Sequence, residues 1–335
     1  MNNKEFDIPY CGCDKDKIKN ANPVLDEKIL DLYIKYQKER TNVYYKKEVL
    51  KESAPWTDWD VLQKYKFTNT RRELDRESKI LIDNVLLRDD VSDLNKTLNS
   101  IFCRGFYSRC YPVTLLEDRY LDFERLNDEK YKSYVIETLP RSAGDTAYFT
   151  SGYRRAVRWK MNASEEEMVK SNIEFLYIHR EKFYSFFWNI KSPLELCKFP
   201  FAIGKFLVYQ VFVDMTYIPY YKFSENEFVL SGAGCDRGIH ALCKDLDGLT
   251  EEEFMFWLRD NIQRIRPDFN PEEMFHFLPE DQRNWGVMQI ENSFCELSKC
   301  LKVAFSDKPT GKVRKYKSEQ MTSSSEKDTS SFDDF

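Results

Sequence analysis

The chain has 335 residues, of which 42% are hydrophobic and 32% are charged, and its formal net charge at pH 7 is -5. This content suffices for one large domain or two small ones with a sizeable core. The negative charge excludes a generic basic nucleic-acid binder, although a local basic cleft can still bind DNA on an acidic protein.

Helical periodicity dominates the first part of the chain. We expect residues 1–22 to form an irregular arm, followed by apolar residues at helical spacing from 23 to about 51. Thr70 and Glu73 have the spacing of a capping box, which predicts a helix of roughly 20 residues starting at Thr70. Another helix is expected over residues 92–102.

The rest of the chain continues in the same pattern. Further capping boxes begin at Ser164 and Thr250, a strongly apolar segment covers residues 199–217, and a last helix is expected over residues 281–305. We find no internal repeat and no alternating strand pattern. The sequence therefore predicts an all-α fold.

The domain organisation follows from these elements. We expect residues 23–305 to form a single helical catalytic domain. Residues 306–335 are rich in Lys, Ser and Asp and have almost nothing apolar to bury, so we expect a disordered tail that activity does not need.

The cysteines and the N-terminus indicate the compartment. Nine cysteines, an odd number without a secretory signal, favour a reducing cytoplasm, which would be the host cytoplasm if the protein is viral. With three histidines, no zinc or iron–sulfur spacing is complete, so we expect no metal and no cofactor. No apolar run reaches membrane-spanning length, and we expect no membrane partner.

The segment FTNTRRELDRESK is the first block that could carry chemistry. Its polar side chains are closely spaced on the predicted helix: Asn69, Arg72, Asp75, Arg76 and Lys79. Two interpretations fit this row. It is either a solvated, salt-bridged face or a row of cations that binds phosphate, with Asp75 fixing the arginines.

The second block, FLVYQVFVDMTY, is a helix that is apolar on nearly every side and is therefore expected to be buried. Gln210 and Asp214 lie on it, one turn apart. A buried carboxylate is costly unless it is paired or lies at a cavity. Asp214 is thus either a core residue bonded to the backbone or an arginine, or a functional group.

The third block is SGAGCDRGI. Gly232 and Gly234 predict a tight turn before a short helix from about Asp236, and such a helix start presents N–H groups to an anion. With Arg237 and Gly238, this block is a candidate helix–hairpin–helix clamp on the DNA backbone.

The fourth block, IENSFCELSK, combines two faces of the last helix. An apolar stripe starts at Ile290, and a separate polar line carries Asn292, Glu296 and Lys299. A purely solvated outer face would not need an asparagine at that position.

These four blocks, in this order, resemble the alpha-glutamyl/putrescinyl thymine pyrophosphorylase family. The resemblance spans roughly residues 55–303. The helical domain of that family also occurs fused to 5-hydroxymethyluracil DNA kinases of phages, and it has distant similarity to helix–hairpin–helix DNA glycosylases. The resemblance therefore implies a helix–hairpin–helix DNA-glycosylase-like helical domain.

The resemblance also implies a reaction on hypermodified thymine in double-stranded DNA. A kinase pyrophosphorylates the hydroxymethyl group of the modified uracil, and a family member displaces the pyrophosphate with an amine from an amino acid or a polyamine. The product protects viral DNA from host nucleases. The implied partners are modified duplex DNA, the amine co-substrate and, functionally, the kinase.

Residue roles under this interpretation follow from the chemistry. Arg or Lys donors stabilise the leaving pyrophosphate, a buried carboxylate takes the proton of the amine, and aromatic rings support a flipped base. The catalytic candidates are Asp214 and Asp75. The candidates for binding substrate and phosphate are Asn69, Arg72, Arg76, Lys79, Gln210, Asn292, Glu296 and Lys299.

Two alternatives stay open. A glycosylase of this fold that acts as a lyase carries a hairpin lysine, but Asp236 stands at that position here, and the downstream Asp is replaced by Glu252 and Glu253. A monofunctional glycosylase using Asp214 or Glu253 remains compatible with the sequence, as does a non-catalytic DNA-binding module. An abasic-site assay and a transfer assay distinguish the three.

Overall fold

The computed structural model describes residues 12–106, 110–141, 164–201, 203–305 and 315. The chain is predominantly helical, which confirms the predicted all-α class. In chain order the elements are α1 (Lys15–Asn20), β1 (Val24–Leu25), α2 (Glu27–Tyr44), α3 (Asp60–Lys64), α4 (Arg76–Leu81), α5 (Asp93–Ser100), α6 (Glu129–Arg141), α7 (Glu165–Ile178), α8 (Arg180–Asn189), α9 (Lys205–Thr216), α10 (Ala233–Leu242), β2 (Cys243–Asp245), α11 (Glu251–Ile265), α12 (Pro271–Met274) and α13 (Val287–Ala304).

The described residues fall into two compact units, and the single helical domain over residues 23–305 stays a prediction. The first unit contains the residues up to Arg72 and those from Glu225 onward, and the second unit contains Glu73–Ser224. Each unit buries its own apolar side chains. In the first, α2, α10 and α11 pack against α13, and in the second, α5 packs against α8 and α9.

The N-terminal arm is more ordered than its composition suggests. Asp14 caps α1, and Ile18 of α1 is buried. The Lys17 ammonium lies 2.5 Å from the Glu253 carboxylate at the start of α11. After α1, β1 pairs with β2 in a two-stranded antiparallel ribbon. Residues 12–22 are therefore anchored to the first unit, while the start of the arm lies outside the described residues.

Two of the three predicted capping boxes form, and one does not. Those at Ser164 and Thr250 are confirmed. The one at Thr70 is wrong, because the buried Thr70 hydroxyl bonds to the Thr41 hydroxyl at 2.7 Å rather than capping a helix. The nearby helix α4 instead begins after Asp75 and continues through a π turn over Ile82–Leu86, so the predicted helix starting at Thr70 does not form.

The C-terminal part of the chain also differs at its boundary. Helix α13 begins at Val287 rather than at 281, because Gly286 is its N-cap residue. The predicted disordered tail lies outside the described residues, apart from Lys315. None of the helices in the described ranges combines the length and apolarity needed to cross a membrane.

Candidate functional site

A segment of the first block that lies outside helix and strand, residues 67–70, is held by side chains of the first unit. The Arg40 guanidinium donates to the carbonyls of Phe67 and Thr68 at 3.3 and 3.1 Å. Asn292 donates to the Asn69 carbonyl at 2.9 Å, and Glu296 accepts from the Thr68 N–H at 3.3 Å. Two predicted polar residues of α13 therefore bind the backbone of the first block.

The third block also contacts helix α13. The Gly232 N–H hydrogen-bonds the carboxylate of Glu291, which is on α13 and buried, and the charge of Arg72 acts on that carboxylate. Three of the four blocks thus meet inside the first unit. We call the following residues the polar cluster: Thr68, Asn69, Arg72, Gly232, Asp236, Glu291, Asn292, Glu296 and Lys299.

Glu291 is the electrostatic centre of the polar cluster. Burial raises the pKa of its carboxyl to about 8, an effect opposed by Arg72 and the Gly232 N–H and reinforced by the acidic Asp236 and Glu296. Glu296 is compensated differently, since Lys299 donates to its carboxylate. The cluster therefore contains one carboxyl that takes up and releases a proton near neutral pH.

The glycines of the third block have a packing role. Helix α10 starts at Ala233, earlier than expected, and Gly232 at its N-cap has an ordinary φ of -103°, so no turn here requires glycine. A Cβ at Gly234 would lie 2.5 Å from the Cys295 sulfur, and one at Gly238 would lie 2.3 Å from the Phe294 carbonyl oxygen. The glycines allow α10 to approach α13 closely.

These observations bear on the proposed hairpin. The residues between α9 and α10 contain no helix, so no helix leads directly into Gly232. Arg237 is exposed on α10. A DNA-backbone clamp at this block stays a prediction.

The second block lies in the second unit, where Asp214 forms an ion pair. Its fully buried carboxylate accepts from Arg104 Nε at 2.7 Å, and Arg104 Nη2 donates to the Ser78 hydroxyl at 2.6 Å. Burial disfavours the charged guanidinium, but the charge and hydrogen bond of Asp214, together with the neighbouring Cys110 and Cys103, raise the pKa of Arg104 overall. Gln210, one turn before Asp214, is half-buried.

The polar row predicted for the first block does not lie on one helix. A 3-10 turn over Arg72–Leu74 interrupts the helix that we expected. Asn69 and Arg72 are buried in the first unit. In the second unit, Asp75 is the N-cap residue of α4, but its side chain makes no capping hydrogen bond. Asp75 and Arg76 are half-buried, whereas Lys79 is exposed. The five residues therefore do not form one helical row.

Two central residues were missed from the sequence, Glu291 and Arg104. Glu291 stands inside the quoted fourth block, but its burial on α13, like that of Gln289 and Ser293, is seen only in the structure. Arg104 had no local signal, because its partner Asp214 is 110 positions away.

Substitution of Arg72 and of Lys79 by alanine is expected to have unequal effects. Arg72→Ala removes a buried cation that acts on Glu291, which should cost about 3–5 kcal/mol of unfolding free energy at alkaline pH. Lys79→Ala changes an exposed side chain and should stay within about 0.5 kcal/mol of wild type. Urea unfolding measures both, and equal effects would contradict the division of the row.

Comparisons with known proteins agree with the resemblance in part. A family model described as "5-hmdU DNA kinase, helical domain" matches residues 27–309. A 5-hmdU DNA kinase of Bacillus phage SP10 is 25% identical over 316 residues, which cover 88% of this chain and 48% of the phage protein. The chain thus spans about half the length of that relative. No solved structure matches it.

Proposed function

We propose that this chain, which belongs to the family of 5-hmdU DNA kinase helical domains, hypermodifies thymine in DNA by amine transfer. The substrate is 5-pyrophosphoryloxymethyluracil in duplex DNA. A C–N bond forms between the exocyclic methylene and the amine, the C–O bond to pyrophosphate breaks, and the amine nitrogen loses a proton. The amine belongs to an amino acid or a polyamine, and a 5-hydroxymethyluracil DNA kinase supplies the pyrophosphorylated base.

The observation that carries the proposal is the polar cluster around Glu291. Three of the four blocks contribute to it, and it holds a carboxyl whose pKa lies near 8 beside the cation of Arg72. An amine attacks only in its unprotonated form, so a carboxylate with high proton affinity is a suitable acceptor. The developing negative charge of pyrophosphate requires a cation, and Arg72 is the candidate.

We place the proton acceptor at Glu291 rather than at Asp214. The Asp214 carboxylate is already engaged by the Arg104 guanidinium at 2.7 Å. Glu291 has weaker compensation, as its raised pKa indicates. Asn69, Asn292 and Lys299 are then candidates for contacts to the base or the amine.

Mass spectrometry of nucleosides tests this function. The full chain is incubated with 5-hydroxymethyluracil DNA, the kinase, ATP and individual candidate amines. The expected result is an amine adduct of thymidine that requires both the kinase and the chain. Abasic sites without an adduct would instead indicate a glycosylase, and DNA binding without either product would indicate a binding module.

A further inference from the structure

The ion pair in the second unit is asymmetric in its exposure. The Asp214 side chain is 1% exposed, whereas that of Arg104 is 20% exposed. A buried ion pair adds little stability compared with apolar residues of the same volume, so stability alone does not explain a carboxylate on an otherwise apolar helix. The asymmetry indicates that Asp214 serves to hold an arginine whose side chain is partly exposed.

The guanidinium is fixed at two of its three nitrogens. Nε donates to Asp214, and Nη2 donates to Ser78 on α4. Across the ranges that the structure describes, Nη1 has no hydrogen-bond acceptor among the contacts of Arg104. A guanidinium is planar and permanently charged. With its Nε and Nη2 fixed, it is well suited to bind an oxyanion through its remaining nitrogen.

We infer that Arg104 binds a phosphate-type oxygen through Nη1, and that Asp214 and Ser78 are positioning residues that hold its guanidinium. Ser78 belongs to the first block and Asp214 to the second, so both blocks contribute to the same arginine. The residue before Ser78 is the acid Glu77, whose carboxylate accepts from the Cys110 N–H at 2.6 Å. The buried thiols of Cys103 and Cys110 also neighbour the guanidinium.

The phosphate oxygen has two sources under the proposed function. The choice of pyrophosphate as one of them rests on that function. One is the pyrophosphoryl group of the modified base, and the other is a backbone phosphate of the DNA. Both offer the same charged acceptor to a guanidinium. Binding measurements on the full chain distinguish them without requiring any transfer activity.

The experiment has two arms. Calorimetry measures binding of inorganic pyrophosphate, and fluorescence anisotropy measures binding of an unmodified DNA duplex. Arg104→Lys keeps the charge but loses the fixed planar group, so affinity in one arm should fall about 10- to 100-fold. Arg125→Lys is the matched control, because Arg125 is also ion-paired in the second unit but is 47% exposed, and it should bind as wild type does.

Further variants test the positioning roles. Ser78→Ala leaves the ion pair intact and should weaken the same arm about threefold to tenfold, while Ser78→Thr, which keeps the hydroxyl, should retain binding. If Arg104→Lys does not fold, the two Ser78 variants still test whether the guanidinium binds the phosphate oxygen. The inference is overturned if wild type binds neither probe, or if Arg104→Lys or Ser78→Ala binds both as tightly as wild type. Loss of transfer activity with normal binding would affect only the proposed function.

Discussion

Under the proposed function, Glu291→Gln is expected to lower the rate of amine transfer by about 10²–10⁴-fold, the usual contribution of a general base. The substitution keeps the shape of the side chain and removes its ability to accept a proton. Wild-type rate should rise with pH through about 8, where the Glu291 carboxyl ionises. Because the amine also loses its proton as pH rises, the profile of the variant is the baseline from which the Glu291 contribution is read.

Stability measurements on the same variant separate catalysis from structure. The pKa of Glu291 in the folded protein is about 8, above its ordinary value of 4.5, so the folded state holds the proton more tightly than the unfolded state. The resulting stability is fully present below pH 4.5 and is lost as pH rises through about 8. Glu291→Gln should therefore be more stable than wild type at alkaline pH, and the difference should shrink in acid.

A matched control is Glu272→Gln on the surface of α12, which should change neither rate nor the pH dependence of unfolding. If Glu291→Gln transfers amine as fast as wild type at every pH, Glu291 is not the proton acceptor. If the variant loses activity in proportion to its unfolded fraction, Glu291 has only a structural role.

The fold class could be predicted from the sequence because its signals are local. Capping boxes and helical periodicity act over a few residues, and those at Ser164 and Thr250 form as expected. Thr70 has the same local spacing, yet its hydroxyl bonds to Thr41 on α2 instead. A long-range contact outweighed the local preference there, and no pattern within the block reveals it.

The site could be predicted only in part for a related reason. Asn292 and Glu296 were recognised because they form a polar line separate from the apolar stripe of the last helix, and both contact the backbone of the first block. Glu291 was missed because its burial depends on α2, α10 and α11 surrounding α13, which is a property of the assembled unit. The pairing of Arg104 with Asp214 is likewise set by tertiary packing and has no sequence period.

Gly238→Ala should destabilise the protein more than alanine at Gly234, the other glycine of the third block that packs against α13. The added Cβ would lie 2.3 Å from the carbonyl oxygen and 2.9 Å from the carbonyl carbon of Phe294. Both are backbone atoms, so no side-chain rotation relieves the overlap and α10 must move away from α13. Overpacking of this kind costs about 1–3 kcal/mol or more. The shift would also displace Gly232 at the N-cap of α10, whose N–H bonds to Glu291.

Two other glycines provide an internal scale for this prediction. At Gly234 the atom nearest to a new Cβ is the Cys295 sulfur, a side-chain atom that can rotate, and at Gly204 nothing lies within 4 Å. In urea unfolding, Gly238→Ala should therefore be the most destabilised variant, Gly234→Ala the next and Gly204→Ala the least. A packing role also predicts that Gly238→Ala shifts the pH dependence of transfer through Glu291. If Gly238→Ala instead unfolds like wild type and loses only duplex binding, the block is a DNA-backbone clamp and its glycines serve the DNA rather than α13.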